Sequence, residues 1–454
     1  MSTGSHGSAR RRSAATTLVV SLLVLVILLA AKPAYAKTFT VTSKFDSPDV
    51  APGDGVCDAS PSQFVILCTL RAAIEEANDF SGVDAIHFGI PDSGVQTIVP
   101  NTKLPKVDER VTIDGYTQPG SEKNTIANGA TNARPLIELD GTSAGPNADG
   151  LFLDGGAPNS VIRGLVINRF EDNGIRLGGQ KSTIEGNFIG TDPTGTLDRG
   201  NDHNGVLVQS VNDTIGGTSP AASNLISGNG ETGIVFGIGF DSAHKVQGNL
   251  VGTDKSASAD LGNTSHGVFI TKFDVRASLS NNTIGGSAPA SNTIAFNDGD
   301  GVRVDEGFGE PSVNNGVTFN SIFSNGGLGI DLVGGSEDPA GHTANDPKDP
   351  DTGPNNLQNK PVLTSATTSG MKTTIEGGLN SKPNRGFIVQ FFSNPRGDEG
   401  KRFLGEKSIF TNASGNASFS FLVPKLTVPD GQNVTATATG REGTSELSAP
   451  KTVT

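Results

Sequence analysis

The chain has 454 residues, a formal net charge of −13, 60 Gly, two Cys, two Tyr and no Trp. So acidic a chain is a poor nucleic-acid binder, because phosphate contacts need clustered Lys and Arg. Glycine at nearly twice its usual share of about 7% predicts many turns between short elements.

In chain order, Arg10, Arg11 and Arg12 form a basic start, residues 18–31 are almost entirely apolar, and Ala34-Tyr35-Ala36 supplies an A-x-A cleavage signal. An apolar core of about 14 residues falls short of the roughly 20 that a bilayer span needs. Residues 1–36 therefore read as a signal peptide cut before Lys37. The mature chain is expected to be secreted or at the cell surface, with no integral membrane span. Cleavage removes Arg10, Arg11, Arg12 and Lys32 and no acids, so the net charge becomes −13 − 4 = −17.

Residues 37–100 read as an N-terminal cap with the first strands. Both cysteines lie in GDGVCDASPSQFVILCTLRAAIEEAN (53–78). Export permits a Cys57–Cys68 disulfide, worth about 2–3 kcal/mol for so short a loop; two buried thiols are the alternative. Two cysteines alone do not make a zinc site, and no histidine lies nearby until His87 to activate a thiol. Leu70, Ile74 and Ala77 share one helical face and Thr69 is placed to be the N-cap. This helix would cover the open first rung of a stacked β structure.

The middle of the chain is a repeat. Glycine followed by alternating apolar residues recurs as GLFL at Gly150, GIRL at Gly174, GVLV at Gly205, GIVF at Gly233, GVFI at Gly267, GVRV at Gly301 and GIDL at Gly329, at intervals of 24, 31, 28, 34, 34 and 28 residues. Second strands recur between the anchors, such as TIEGNFIGTD from Thr183 and KVQGNLVGTD from Lys245. Units with strands this short cannot bury their apolar side alone; stacking buries it. The prediction is an all-β fold: a right-handed single-stranded parallel β-helix over 101–344, with the N-terminal helical cap. In GVLV, Val206 and Val208 face in and Leu207 out, or the reverse. The extra residues after Gly190 and Gly252 leave as loops on one side, where solenoids commonly build a functional face. Asn187, Asn229, Asn249 and Asn297 fall at a matching point in their rungs, as a hydrogen-bonded ladder would place them.

Residues 345–360 read as an Asp/Pro/Asn-rich linker. From 361 to 454 the glycine anchor stops, and TTIEGGL, GFIVQFF, RFLGEKSIF, ASFSFLV and NVTATAT alternate at the spacing of a small C-terminal β-sandwich.

GDGVC followed by CTLRAAIEEAN resembles the N-terminal CSLREA domain of secreted bacterial proteins: Cys68, Leu70, Arg71, Ala73 and Ile74 match its core, with Thr69 in place of Ser and Ala72 in place of Glu. The rungs resemble right-handed β-helix repeats of the pectin-lyase-like superfold, and GLGIDL (327–332) with NDPKDPDTGPNNLQNKPVL (345–363) resembles the terminal signature of that group. The resemblance implies the fold. It does not imply one activity, since this superfold carries lyases, hydrolases and adhesins alike.

Lyases of that superfold use clustered Asp for calcium with a nearby Arg or Lys as base, and hydrolases use paired carboxylates. The residues to consider are Glu171, Asp172, Asp202, His203, Glu231, His266 and Asp300, which lie before anchor glycines and so stack on one side. Arg303 within GVRV is a candidate base. Against these stands the ordinary turn-forming role of Asp before Gly, and Asp192 and Asp254 recur with the repeat, as structural residues do. The sequence assigns no cofactor; Ca²⁺ could be held by Asp298, Asp300 and Asp305, or by Asp346, Asp349 and Asp351. The expected function is non-catalytic adhesion to an extracellular polysaccharide or cell-surface matrix. The alternatives are a polysaccharide lyase or glycoside hydrolase on the loop face, and a structural stalk.

Overall fold

The structure is a computed structural model that describes residues 1–4, 36–60, 67–80, 82–127, 129–237, 242–272, 279–306 and 312–454. The segment expected to form the core of the signal peptide lies outside the described residues.

Short alternating segments pair with their own repeats one turn away. Nine strands, from Thr38–Val41 to Gly316–Thr318, form a first parallel sheet. Eight, from Gln96–Ile98 to Ser321–Phe323, form a second, and seven, from Leu151–Leu153 to Ile330–Leu332, form a third. Within each sheet, spatial order is chain order, so the backbone visits the sheets in turn, as in Val161–Arg163, Leu165–Asn168 and Ile175–Leu177, before returning to the first at Thr183–Glu185. This is a three-sheet parallel β-helix.

The register explains why β-branched residues dominate the inward positions. Ile113, Ile162, Ile184, Ile215, Val246, Ile284 and Val317 pair in succession along the first sheet, and each is at most 2% exposed. Leu139, Ile167, Ile189, Ile226, Val251, Ile294 and Ile322 pair likewise along the second, each at most 4% exposed. On the third, Val206 and Val208 are buried and Leu207 is outward.

Polar corners hold the turns. Asn187, Asn224, Asn249, Asn292 and Asn320 form one ladder between the first and second sheets, with amide-to-carbonyl contacts of 2.9–3.2 Å. Asn201, Asn229, Asn263, Asn297 and Asn325 form another between the second and third, at 2.8–2.9 Å. The four asparagines expected in a single ladder are therefore divided between two: Asn187 and Asn249 stand at one corner, Asn229 and Asn297 at the next.

Both ends of the solenoid meet other elements. At the first, α1 (Leu70–Asp79) packs on the strands Thr38–Val41 and Asp84–Phe88. Leu70, Ile74 and Ala77 are at most 2% exposed, and the Thr69 hydroxyl accepts from the Ala72 N–H at 3.1 Å. Cys57 and Cys68 form a disulfide with 5.1 Å between their Cα atoms. Arg71 donates to both oxygens of Asp46 at 3.0 and 2.9 Å, which ties the helix to the loop before it.

At the other end, a three-stranded and a four-stranded antiparallel sheet pack through Phe391, which stacks on Phe421 at 4.4 Å and meets Phe419 edge-on at 5.5 Å. Phe392 from these sheets and Leu447 from the segment between the strands Asn433–Thr439 and Lys451–Thr452 enter the solenoid's own core, and Glu399 accepts from the last ladder residue, Asn325, at 2.9 Å. Residues 345–360 are packed: Asn355 is fully buried, accepts from the Asn315 N–H and donates to the Thr444 carbonyl, each at 2.9 Å. Among the described residues, no helix is long and apolar enough to cross a membrane.

Candidate functional site

Three-residue strands of the third sheet bury their first and third side chains and turn the second outward, whereas those of the first sheet bury the second and turn the first and third outward. On the first sheet one outward column is ionic over three rungs, where Arg163 bridges Asp114 at 2.7 Å and Glu185 at 3.3 Å, and further on the outward positions are Thr214, Lys245, Gly216 and Gln247. On the second the outer row is apolar, with Val166, Phe188, Leu225 and Leu250 in register, and it is covered. Ala133 and Ala257, from two loops, join these residues in a separate buried cluster. The loops interlock through Thr131 N–H to Lys255 O at 2.8 Å and Lys255 N–H to Gly195 O at 2.9 Å. Gly195 has φ +67°, and a Cβ there would stand 3.0 Å from both Leu225 and Phe188, which shows how tightly the loop lies on the sheet. The loops after Gly190 and Gly252, expected to build the functional face, thus roof the second sheet.

Asp192 and Asp254 shape those loops. Asp192 accepts from the Thr194 hydroxyl and the N–H groups of Thr196 and Leu197, and Asp254 repeats this with Ser256, Ser258 and Ala259. Burial works to raise both carboxyls, and the hydrogen bonds outweigh it and leave them below the usual range.

The third sheet has a different outer row: Phe152, Arg176, Leu207, Val235, Phe269, Arg303 and Asp331, paired in succession. Phe152, Arg176, Leu207, Phe269 and Arg303 are partly exposed. The Arg176 guanidinium lies 4.7 Å from the Phe152 ring centre, and that of Arg303 6.0 Å from Phe269. A groove of about 430 Å³ lies beside the row, floored by Val235 and Phe269 and walled by residues that include Asn204, Glu231, Thr232 and Thr264.

The residues singled out in the sequence line the edge of this sheet, in adjacent columns of the turn before it. Glu171, Asp202, Glu231 and Asp298 are exposed. Asp172 and His203 meet across one rung at 3.1 Å. The neighbouring column is another backbone-binding ladder: Asn173 accepts from Asn204 N–H at 3.3 Å, Asn204 from Thr232 N–H at 3.2 Å, His266 Nδ1 from Asp300 N–H at 2.9 Å, and Asp300 from Leu328 N–H at 2.7 Å. His266 Nδ1 also stands 3.2 Å from Asp300 Oδ2. One nitrogen cannot accept and donate at once, so Nδ1 serves the N–H when it is bare and the carboxylate when it carries the hydrogen.

At the last two rungs the row ends in a network that the sequence reading missed. Arg303 donates to Asp331 at 2.6 Å and Asp300 at 3.1 Å. Both carboxyl side chains are 9% exposed. Burial acts to raise Asp300, but His266, the Leu328 N–H and Arg303 together hold it below the usual range. Asp331 is pushed up to about 7, first by burial and then by the Asp300 charge, despite Arg303. GIDL alone among the anchors carries an acid at the outward position, opposite Arg303 one rung before. That pairing was the available signal.

For a cation, the described residues assemble only Asp346, Asp349 and Asp351, with ligand oxygens within 4.8 Å of one another. Asp346 Oδ1 and Asp351 Oδ1 are buried without a hydrogen-bond partner. Burial and the neighbouring carboxylates push Asp351 up to about 6. The alternative set does not converge: Asp300 is turned to Arg303 and His266, while Asp298 is exposed. Asp305 lies beyond the far end of the extended strand Val302–Val304, about 16 Å of chain from Asp300.

No family model and no curated protein matches the chain. Among solved structures it is similar to the enzymatically active domain of bacteriophage CBA120 tailspike protein 2, at 12% identity over 80% of this chain and 66% of that one, with a TM-score of 0.20. It is also similar to full-length tailspike protein 2 from an Escherichia coli O157:H7 bacteriophage, at 11% identity over 79% of this chain and 56% of that one, with a TM-score of 0.16. The chain spans just under two thirds and just over half of their lengths. Likeness this remote assigns no activity.

Proposed function

We propose that the protein is a secreted or surface-exposed polysaccharide-binding β-helix that holds its ligand without turning it over, along the outer face of the third sheet. One observation carries this reading. The first sheet turns outward an ion-paired patch around Arg163 and then Thr214, Lys245, Gly216 and Gln247, with no aromatic ring among them, and the second sheet's row is roofed by loops. The third leaves a Phe–Arg–Leu and a Phe–Arg series accessible beside a groove. Phenylalanine rings offer faces to sugar C–H groups, and Arg offers planar donors to hydroxyls and carboxylates. Rungs about 4.8 Å apart repeat these contacts at a spacing comparable to one sugar residue of an extended chain. The disulfide fits an oxidising compartment outside the cytoplasm, as does the resemblance of 53–78 to the CSLREA domain. A calcium ion at Asp346, Asp349 and Asp351 would be structural, since these residues belong to the packed segment 345–360.

A hydrolase is the second reading, favoured by the opposite displacements of Asp300 and Asp331 beside Arg303, because acid and base partners are often set apart in this way. Against it, the Asp300 oxygens are engaged by Leu328 N–H and Arg303, and neither carboxyl is open enough to reach a glycosidic bond. The test is co-sedimentation with insoluble acidic and neutral polysaccharides, comparing wild type with Phe269→Ala and Arg176→Ala. Binding weakened by both, with no new chain ends released by wild type or by Asp331→Asn, supports the reading. Retention untouched by both substitutions removes it.

A further inference from the structure

The C-terminal sandwich holds a second pocket, far along the chain from the third sheet's groove. It has a volume of about 230 Å³ and is bordered by Lys382, Arg385, Phe410, Arg441 and Glu442. That is below the roughly 300–1,000 Å³ of drug-sized sites, and suits a single ring with a charged substituent.

Lys382 and Arg385 come from the turn between the strands Lys372–Asn380 and Gly386–Asn394, and Arg441 from the turn after Asn433–Thr439. Both turns are fixed. The fully buried Thr411 hydroxyl donates to Lys382 O at 2.6 Å and accepts from Arg385 N–H at 3.0 Å. The second turn docks on the solenoid through Asn314 N–H to Glu442 O at 2.6 Å. The one acid of the pocket, Glu442, accepts from Asn356 at 2.8 Å. Among the described residues, neither Arg385 nor Arg441 makes an ion pair or a side-chain hydrogen bond, and both are exposed.

Two unpaired guanidinium groups around one small pocket are unexpected in a chain of net charge −13, where acids are plentiful and pairing is easy; the nearby Lys382 also acts on Asp349 and Asp351. Phe410 stands beside them and is 68% exposed, an apolar ring left in water. Cations alone would suit any small anion; the ring adds a demand for a ligand with an apolar face. We propose that this pocket binds a hexuronate residue of an acidic polysaccharide, with its carboxylate held by Arg385 and Arg441 and its ring face on Phe410. The site is separate from the third-sheet face, and either could exist without the other.

Isothermal titration calorimetry of the protein with trigalacturonate, neutral galactotriose and sodium phosphate tests it. Trigalacturonate is expected to bind saturably, with galactotriose and phosphate at least about tenfold weaker. Arg385→Ala with Arg441→Ala should weaken trigalacturonate by about tenfold or more, and Phe410→Ala should weaken it too. If the alanine pair fails to fold, Arg385→Lys with Arg441→Lys keeps the charge and loses the forked geometry, and should still weaken binding. Absence of saturable heat, phosphate binding as tight as trigalacturonate, or trigalacturonate binding lost in Phe269→Ala but intact in the arginine variants would each overturn the proposal. The last result would leave the third-sheet reading standing.

Discussion

Asn249→Ala tests whether the asparagine ladders hold the solenoid together. Asn249 is 1% exposed. Its Nδ2 donates to Ile215 O at 2.9 Å, Gln247 O at 3.1 Å and Asn292 Oδ1 at 3.1 Å, and its Oδ1 accepts from Asn224 Nδ2 at 2.9 Å. Truncation leaves two neighbours partly served: Asn292 Oδ1 keeps the Asn249 N–H at 2.9 Å, and Asn224 Nδ2 keeps Ile184 O at 2.8 Å. The loss is a donor to Ile215 O and the acceptor both for a buried amide hydrogen of Asn224 and, at 3.4 Å, for its backbone N–H. At about 1 kcal/mol per net hydrogen bond and about 1–3 kcal/mol for a buried group left unpaired, the expected destabilisation is about 2–4 kcal/mol. Urea unfolding followed by circular dichroism reads it. Lys245→Ala, at an exposed site on the same rung, should stay within about 0.5 kcal/mol of wild type. An Asn249→Ala loss below about 1 kcal/mol would refute the reasoning, because the corner would then be held by backbone pairing alone.

Asp331 gives a pH prediction. Its carboxyl titrates near 7 when folded and near 4 when unfolded, so the folded state keeps a proton that the unfolded chain has released. This contribution is complete below about pH 4 and is lost as pH rises through about 7. Wild type should therefore be less stable at pH 8 than at pH 5, with Asp351 acting in the same direction. Asp331→Asn should shrink the difference by about 1–3 kcal/mol in thermal melts, and an unchanged pH profile would contradict the assignment. Calcium at Asp346, Asp349 and Asp351 should raise the melting temperature, by an amount equivalent to about 2.7 kcal/mol at a hundredfold excess over Kd; EDTA should reverse the rise and Asp351→Asn abolish it. Phe392→Ala, at a residue 4% exposed in the solenoid core, should cost about 3–5 kcal/mol and increase amide exchange at Gly316–Thr318 and Ser321–Phe323 before it does so in the sandwich.

The solenoid was legible because its physics is local and repeated. Each inward position needs a compact apolar side chain, so Val206 and Val208 or Val302 and Val304 announce a strand without knowledge of their neighbours. The helix face of Leu70, Ile74 and Ala77 was legible for the same reason. Contacts made across long stretches of chain were not. The roof over Phe188 and Leu225 depends on Ala133, which comes from a loop more than fifty residues earlier, and no local pattern marks Ala133 as buried. The strand Val362–Ser369 was overlooked because VLTSATTS carries its alternation in Thr and Ser. The acidic site candidates were found as a stack along one edge, but their partners decide what they do, and Asp331 lay hidden inside an anchor read only for its glycine.

The most direct test of a binding, non-catalytic third-sheet face incubates the protein with a panel of acidic and neutral polysaccharides, with Ca²⁺ and with EDTA. The bound fraction, new reducing ends and the ultraviolet absorbance of unsaturated ends are measured on the same samples. Retention of at least one polysaccharide, lost in Phe269→Ala and accompanied by neither kind of new end, is the predicted result. New reducing ends that vanish in Asp331→Asn, or absorbance that requires calcium, would contradict it and make the protein an enzyme.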